Sequence, residues 1–331
     1  MKILIVRFSS IGDVILTTPV VRSLKEQLMN VEIHYLTKAS FRTLLENNPH
    51  IDRIWTIESS IGEVIGDLKK EKFDVVIDLH RNIRTLSLKC KLGRRSYTFP
   101  KLNFKKWVFV RTGKNVMPDV HVVDRYFEAV RKLGVKNDGK TCELFLHESE
   151  EINVKEQLGV QPGKFCCIAI GAQFATKRMP AELLIKIIEK IPFPVVLTGG
   201  ITDQELAKLL KDHLKRPDII DATGRFTLRE SASIVKQSAV LLTNDTGLMH
   251  IATCFGVRIV SVWGNTVPEL GMYPYYPGMK DLYSIHEVKD LSCRPCSKIG
   301  HQVCPKGHFR CMYLQDTQAI AIDVQKKLMG N

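Results

Sequence analysis

Short β-branched runs alternate with amphipathic segments along nearly all 331 residues, and this alternation restricts the fold more than any other feature. In the amphipathic segment at residues 13–28, Val14, Val21 and Leu28 recur at helical spacing. Strands that alternate with helices form a parallel sheet with helices on both faces. The strand-like runs are residues 2–7, 32–36, 53–57, 73–79 and 96–99 in the first half, and residues 166–170, 194–198, 218–221, 240–243 and 258–263 in the second.

The chain is longer than one hydrophobic core usually requires, so two domains are predicted. A polar stretch at residues 148–164 separates the halves and ends in the turn-like sequence Gln161-Pro162-Gly163. We therefore expect a first α/β domain over residues 1–155 and a second over residues 156–312. Two doubly wound domains that face each other would bind a ligand at the carboxyl ends of their strands.

The composition, 44% apolar and 25% charged, is that of a folded globular protein. No run approaches the roughly 20 apolar residues that cross a bilayer. The N-terminal residues resemble a first strand and not a signal peptide. We expect a cytoplasmic monomer that is free or peripheral on the inner membrane.

The formal net charge of +13 favours a phosphate-rich partner such as an anionic lipid, a nucleotide or a nucleic acid. The densest basic groups, residues 89–95 and 101–111, contain interleaved aromatic side chains, among them Phe104 and Trp107. This mixture suits a membrane interface, and it equally suits a solvated helix face or a linker.

A candidate anion-binding turn follows the strand at residues 240–243. Its residues Asp245, Thr246, Gly247, Leu248 and His250 open a helical pattern, whose first backbone N–H groups would point toward a phosphate. The alternative is an ordinary helix cap with a packed histidine. Because the chain has no G-x-G-x-x-G sequence, a dinucleotide oxidoreductase is not expected.

Residues 243–253, Thr-Asn-Asp-Thr-Gly-Leu-Met-His-Ile-Ala-Thr, resemble the signature of the family 9 glycosyltransferases, which include the ADP-heptose:lipopolysaccharide heptosyltransferases. The resemblance covers nearly the whole chain and implies a GT-B fold of two facing Rossmann-like domains, with a C-terminal helix at residues 313–331 packing back on the first domain. Further matches follow in the family order: Arg-Phe-Ser-Ser-Ile-Gly-Asp at 7–13, Asp-Leu-His-Arg-Asn-Ile-Arg at 78–84, Thr-Lys-Arg-Met-Pro at 176–180, and Thr198-Gly-Gly with Glu205 downstream.

The resemblance implies an inverting, metal-independent enzyme that transfers heptose from ADP-heptose to an anionic glycolipid of the Kdo-lipid A type, in the lipopolysaccharide inner core. Asp13 would be the general base, and Lys177 would stabilise the leaving diphosphate. Two alternatives stay open: a GT-B transferase of another nucleotide sugar in cell-surface glycan synthesis, and a basic nucleic-acid-binding protein with a zinc ribbon. With the leading interpretation, no nucleic-acid partner is expected.

The same resemblance implies the remaining ligand contacts. Glu205 would bind the ribose, and Phe226 would lie near the adenine, where the family often has Met. Thr176 and Arg178 would complete the donor site beside the turn at residues 245–250. The acceptor would contact Arg7, Ser9, Ser10, Gly12, Arg81, Asn82 and Arg84.

Four of the nine cysteines lie close together in the sequence, at Cys293, Cys296, Cys304 and Cys311. Their spacing is compatible with a structural zinc ion bound by four thiolates. Reduced thiols and disulfides are the alternatives. No cofactor is expected to be required for catalysis.

Overall fold

The computed structural model describes residues 1–330, which fold into two compact units. The first unit contains residues 1–102 and 120–145. The second contains residues 103–119 and everything described from residue 146 onward. The sequence predicts a single boundary after residue 155. In the structure the chain instead passes from one unit to the other three times, after residues 102, 119 and 145.

Within the described residues, each unit is built on one parallel sheet. The strands are β1 (Lys2–Val6), β2 (Glu32–Lys38), β3 (Arg53–Ile57), β4 (Val75–Asp78), β5 (Arg95–Thr98), β6 (Cys166–Ala169), β7 (Val195–Thr198), β8 (Ile219–Asp221), β9 (Val240–Asn244), β10 (Arg258–Trp263) and β11 (Tyr283–Glu287). The strand order is β3-β2-β1-β4-β5 in the first unit and β11-β10-β9-β6-β7-β8 in the second.

Helices connect these strands as the alternating pattern predicts. The α-helices are α1 (Ile11–Ile15), α2 (Thr18–Gln27), α3 (Ile65–Lys70), α4 (Ile83–Leu92), α5 (Asn103–Thr112), α6 (Val122–Phe127), α7 (Val154–Leu158), α8 (Ala181–Ile188), α9 (Gln204–Leu214), α10 (Leu228–Lys236), α11 (Gly247–Thr253), α12 (Arg310–Tyr313) and α13 (Thr317–Met329). The helix predicted at residues 13–28 is divided at Thr17, just before Pro19 in the first turn of α2.

The central strands are apolar without interruption because helices cover both faces of each sheet. Residues 3–6 of β1 are fully buried, and so are residues 195–197 of β7. The predicted class, two doubly wound α/β domains, is confirmed. Among the described strands, β11 is the one that the sequence pattern did not predict, and all five of its residues are only half-buried.

Residues 103–119 make apolar contacts with the second unit, to which they belong. Phe109 of α5 is 5% exposed and lies in a small cluster with Met117, Val267 and Leu270. From the sequence, residues 101–111 suit a membrane interface, a solvated helix face or a linker, and the core that accepts Phe109 was not predicted.

The C-terminal helix packs in a different unit from the one expected. Ile320, Ala321 and Val324 of α13 are fully buried in the same core cluster as Ile187 of α8 and Val260 of β10. This apolar stripe therefore packs in the second unit, whereas the resemblance implied packing on the first. Residue 331, the last of the expected helix, lies outside the described residues. Among the helices of residues 1–330, none has the length and apolarity needed to span a bilayer.

Candidate active site

Each sheet has one point where successive connections turn to opposite sides. In the first unit this switch point lies between β1 and β4, and in the second it lies between β6 and β9. Open α/β sheets bind ligands beyond the carboxyl ends of the strands at such a point. Among the candidate residues of the sequence, Asp13, residues 81–84, residues 176–178 and residues 245–250 follow these four strands, whereas Glu205 and Phe226 follow β7 and β8.

Asp13 lies in the first turn of α1, after the loop that leaves β1. Its Oδ2 accepts hydrogen bonds from the Ser10 hydroxyl at 2.7 Å and from the Ser10 backbone N–H at 3.2 Å. Its Oδ1 forms an ion pair with Nη2 of Arg7. The carboxylate is therefore fixed in orientation, and its side chain keeps 19% of its surface exposed.

Arg7 is a support for Asp13 and not an open anion receptor. Its guanidinium donates to Ser9 O at 2.8 Å and to Leu79 O at 2.5 Å, and its side chain is 7% exposed. Burial would lower the pKa of this guanidinium, but the charge of Asp13 raises it and the net direction is upward. Arg7 therefore stays charged and keeps Asp13 in place.

His80 and Lys101 lie at the same switch point and were missed in the sequence. Burial, reinforced by the positive charges of Arg7 and Lys101, lowers the pKa of His80 to about 4, so its ring is neutral at pH 7. Within the described residues, its buried Nδ1 has no hydrogen-bond partner. Lys101 donates to the His80 carbonyl at 3.0 Å, and burial and the charge of Arg7 lower its pKa. The signal for His80 was present in the sequence at residues 78–84, but its burial was not.

The other predicted acceptor residues divide into structural and exposed groups. Asn82 caps α4, because its side-chain oxygen accepts from Thr85 N at 2.9 Å. Gly12 is buried inside α1. Arg81 and Arg84 are exposed. The Arg84 guanidinium carbon lies 5.9 Å from the centre of the Phe8 ring, and Arg81 donates to Phe99 O at 3.2 Å.

In the second unit, the loops after β6 and β9 meet through Lys177 and Asp245. Lys177 Nζ lies 2.6 Å from Asp245 Oδ2, and the two side chains are 17% and 12% exposed. The Thr266 hydroxyl donates to the same Oδ2 at 2.8 Å. Asn244, fully buried, accepts from Met179 N at 3.1 Å and ties the two loops together again. The sequence prediction that residues 177 and 245 share one site is thus consistent with this geometry.

The turn at residues 245–250 begins a helix, as the sequence predicts, and its role as an anion site stays a prediction. Thr246 is the N-cap of α11, and its hydroxyl lies 3.2 Å from that of Thr243. Gly247 begins the helix, and Leu248 is half-buried. His250 is 2% exposed, so it packs inside the unit.

Thr176 is buried and hydrogen-bonded to another segment of the protein. It is 2% exposed, its hydroxyl donates to His301 O at 3.0 Å, and His301 N donates back to the hydroxyl at 2.8 Å. The neighbouring Arg178 donates from Nε to Ala172 O at 2.7 Å.

Asp203 is buried in the segment between β7 and α9, and Glu205 is exposed on α9. Asp203 is 6% exposed and accepts from Gly200 N at 2.8 Å. A Cβ at Gly199 would lie 2.8 Å from its carboxylate, so the acid sits directly against the backbone that follows β7. Sequence reasoning missed Asp203 because a first-turn acid is common in any helix. Phe226 is half-buried against a core cluster of this unit.

The four clustered cysteines lie within one segment of the second unit. Burial raises the pKa of Cys311 to about 12, and the other three thiols lie close enough to contribute to its shift. Among the described residues, however, the set whose possible ligand atoms all lie within 4.8 Å of one another is Glu32, His34 and Glu71. The thiols as placed do not form a closed tetrahedron.

The Glu32, His34 and Glu71 set does not fit a cation site. Lys2 Nζ lies 2.7 Å from Glu71 and 3.3 Å from Glu32, and Arg53 lies 2.7 Å from Glu71. Two side-chain cations already neutralise these carboxylates, so a metal ion would have to compete with both.

Two parallel α/β units with polar loops at both switch points are the architecture of the GT-B fold, and comparisons with known proteins identify the class as a glycosyltransferase. The profile of glycosyltransferase family 9 (heptosyltransferase) matches residues 61–305. Lipopolysaccharide heptosyltransferase 1 of Campylobacter coli is 24% identical over 294 residues, which cover 80% of this chain and 84% of that protein. The chain therefore belongs to glycosyltransferase family 9.

Two solved structures show the same fold. The glycosyl transferase family 9 protein of Veillonella parvula superposes with a TM-score of 0.80 at 23% identity, covering 100% of this chain and 98% of that one. ADP-heptose lps heptosyltransferase II of E. coli gives a TM-score of 0.73 at 18% identity, with 100% and 99% covered.

Proposed function

We propose that this protein transfers heptose from ADP-heptose, with inversion, to an anionic glycolipid of the Kdo-lipid A type during synthesis of the lipopolysaccharide inner core. The observation that carries the proposal is the family match over residues 61–305, together with relatives that are heptosyltransferases. The positions of Asp13 and Lys177 at the two switch points support it.

In the acceptor half, Asp13 is the general base. Its carboxylate takes the proton from the acceptor hydroxyl as that oxygen bonds to the anomeric carbon, and the bond from this carbon to the diphosphate breaks on the opposite side. A single displacement inverts the configuration. Arg7 and Ser10 keep the carboxylate in one orientation, which lowers the entropic cost of the step. The exposed Arg81 and Arg84 are free to contact acidic groups of the acceptor.

In the donor half, the leaving ADP gains negative charge as the glycosidic bond breaks. Lys177 and the N–H groups at Thr246 and Gly247 would stabilise this charge. In the ligand-free protein Lys177 is paired with Asp245, so a bound diphosphate would share the ammonium group with that carboxylate. Asp203 and Glu205 are the two acids available for the ribose, and Phe226 is the aromatic candidate for the adenine.

The donor nucleotide is tested by thermal stabilisation. At equal concentrations, ADP should raise the melting temperature more than UDP, GDP or CDP, because a ligand that binds only the folded state stabilises it by mass action. The companion assay measures heptose transfer from ADP-heptose to a Kdo-lipid A acceptor. If UDP stabilised the protein more than ADP, the donor would be a different nucleotide sugar, and the protein would still be a glycosyltransferase.

We further propose that the protein acts at the cytoplasmic face of the inner membrane and that α5 contacts anionic lipid. Phe104 and Trp107 of α5 are 75% and 56% exposed, and their rings stack with centres 6.2 Å apart. Lys105 and Arg111 are exposed on the same helix. Aromatic side chains flanked by basic ones favour the headgroup region of an anionic bilayer.

Vesicle co-sedimentation tests this surface. The protein should bind vesicles that contain phosphatidylglycerol more tightly than neutral ones, and replacing Phe104 and Trp107 together by Ser should weaken that binding about tenfold. Met29→Ser, which removes an apolar side chain that is 92% exposed in the first unit, is the control. Equal binding of the double variant and the control would contradict a role for α5.

Structural zinc at Cys293, Cys296, Cys304 and Cys311 stays a proposal based on donor chemistry, because four thiols are a set that zinc prefers. Metal analysis of protein purified without chelator should then find about one equivalent of zinc. Less than about a tenth of an equivalent would exclude it. No catalytic step is assigned to this metal.

A further inference from the structure

The cysteine-rich segment directly contacts the loop that carries Lys177. Its residue His301 exchanges backbone and hydroxyl hydrogen bonds with Thr176: Thr176 N donates to His301 O at 3.1 Å, the Thr176 hydroxyl donates to the same oxygen at 3.0 Å, and His301 N donates to the hydroxyl at 2.8 Å. Three hydrogen bonds to one buried residue hold this loop firmly.

The contact between the two segments is too close for a side chain at Gly300. A Cβ at this position would lie 2.5 Å from Cβ of Phe174, and the backbone there has φ +124°, a conformation that side chains rarely adopt. The segment therefore lies against the residues on both sides of Ala175. Nothing in the sequence motifs indicated this contact.

Arg294 anchors the other end of the same segment. Its guanidinium donates to Gly264 O at 2.5 Å, to Thr266 O and Val288 O at 2.9 Å each, and to Glu287 Oε2 at 2.8 Å. Its side chain is only 7% exposed. A buried guanidinium with four acceptors fixes the loop that follows β10.

A short chain of contacts connects Arg294 to the proposed phosphate site. Thr266, whose carbonyl binds Arg294, donates its hydroxyl to Asp245, and Asp245 pairs with Lys177 at 2.6 Å. Gly264, the second carbonyl partner, approaches the Thr176 carbonyl so closely that a Cβ on it would lie 2.8 Å away. Arg294 thus supports Lys177 through Thr266 and Asp245, while His301 holds the adjacent Thr176.

We propose that Arg294 is a positioning residue for the diphosphate of the donor. It fixes the carbonyls of Gly264 and Thr266, and through Asp245 it sets where the Lys177 ammonium group meets the diphosphate. This inference rests on the proposed function, since it takes the ligand to be a nucleoside diphosphate. It predicts that losing Arg294 weakens recognition of the phosphates and leaves recognition of the nucleoside unchanged.

The experiment compares Arg294→Met with Arg216→Met. Arg216 is a matched control, because it also binds three carbonyls, those of Ile188, Ile191 and Phe193, together with the carboxylate of Asp218. These partners precede β7 and β8 and so lie at the amino end of the sheet, away from the switch point. Titration calorimetry with ADP and with adenosine measures the two affinities for each variant.

In Arg294→Met, the ADP affinity should fall about tenfold, while the adenosine affinity stays within about twofold of the wild type. Arg216→Met should lower both by the same small factor, even if the two variants lose similar thermal stability. Arg294→Lys, which retains the charge but not the planar donor set, should recover part of the ADP affinity.

A milder variant keeps the proposal testable if Arg294→Met does not fold. Glu287→Gln weakens one of the four contacts of Arg294, and it should lower ADP affinity about threefold relative to adenosine. An unchanged ratio of ADP to adenosine affinity in every folded variant overturns the positioning role. Failure of the wild-type protein to bind ADP would instead contradict the proposed function, so the two failures are distinguishable.

Discussion

Replacing Asp13 by Asn should lower kcat by about 10²- to 10⁴-fold and leave the affinity for ADP nearly unchanged. The amide cannot take a proton from the acceptor hydroxyl, but it retains an oxygen that accepts from Ser10. The substitution also leaves the buried Arg7 without its carboxylate partner, so the melting temperature should fall as well. Steady-state kinetics with saturating donor, together with ADP titration, separates the loss of chemistry from the loss of stability.

Glu63→Gln is the matched control for this variant. Glu63 caps the short helix after Ser60 in the same manner that Asp13 caps α1, and its side chain accepts from the backbone N–H groups of residues 58–60. These hydrogen bonds lower the pKa of Glu63 to about 2. The control removes a capping carboxylate away from the switch point and should leave kcat unchanged. If Asp13→Asn also retained a rate within about threefold of the wild type, Asp13 would not be the base.

Replacing Lys177 by Ala should weaken ADP binding and also lower kcat by about 10²- to 10³-fold, because the ammonium group faces charge that grows during the reaction. The loss of affinity for ADP should exceed the loss of affinity for adenosine. In the variant Asp245 keeps its hydrogen bond from the Thr266 hydroxyl but loses the ammonium group, so the donor diphosphate would meet an uncompensated carboxylate. Kinetics with ADP-heptose and calorimetry with ADP and adenosine measure these effects.

Lys208→Ala is the control for Lys177. Lys208 has the same charge and lies in the same unit, but its side chain is 81% exposed on α9 and pairs only loosely with Asp212. Its removal should change neither ADP affinity nor kcat. Unchanged donor affinity and rate in Lys177→Ala would place Lys177 outside the phosphate site.

The sequence was informative about the two sheets because parallel strands covered on both faces are apolar without interruption. The central strands, such as β1, β6 and β7, follow this rule. β11 does not, since Tyr283, Ser284, Ile285, His286 and Glu287 are half-buried and of mixed polarity. The core that receives α13 was also not predictable, because an apolar stripe shows that a helix has a buried face but not which core receives it.

The candidate site was predictable where a polar residue lies in the connection after a strand at a switch point, as Asp13, Lys177 and Asp245 do. Asp203 and Arg294 could not be found in this way, and the burial of His80 was not visible in the sequence although this residue closely follows β4. The importance of each depends on contacts with residues distant in the chain, and their types are common in loops and helix ends. The reverse also occurs: Asn82 and Thr176 were predicted as ligand contacts, and the structure shows both with their polar groups engaged by the protein itself.

The assignment of residues 103–119 to the second unit has a practical consequence for dissecting this enzyme. A single cut after residue 145 or 155 yields a C-terminal fragment without α5, in which Val267 and Leu270 lose the cover of Phe109. The N-terminal fragment would carry that helix with no apolar surface of its own to receive it. To make two halves that fold independently, the gene would have to be rearranged so that residues 103–119 are joined to the second half.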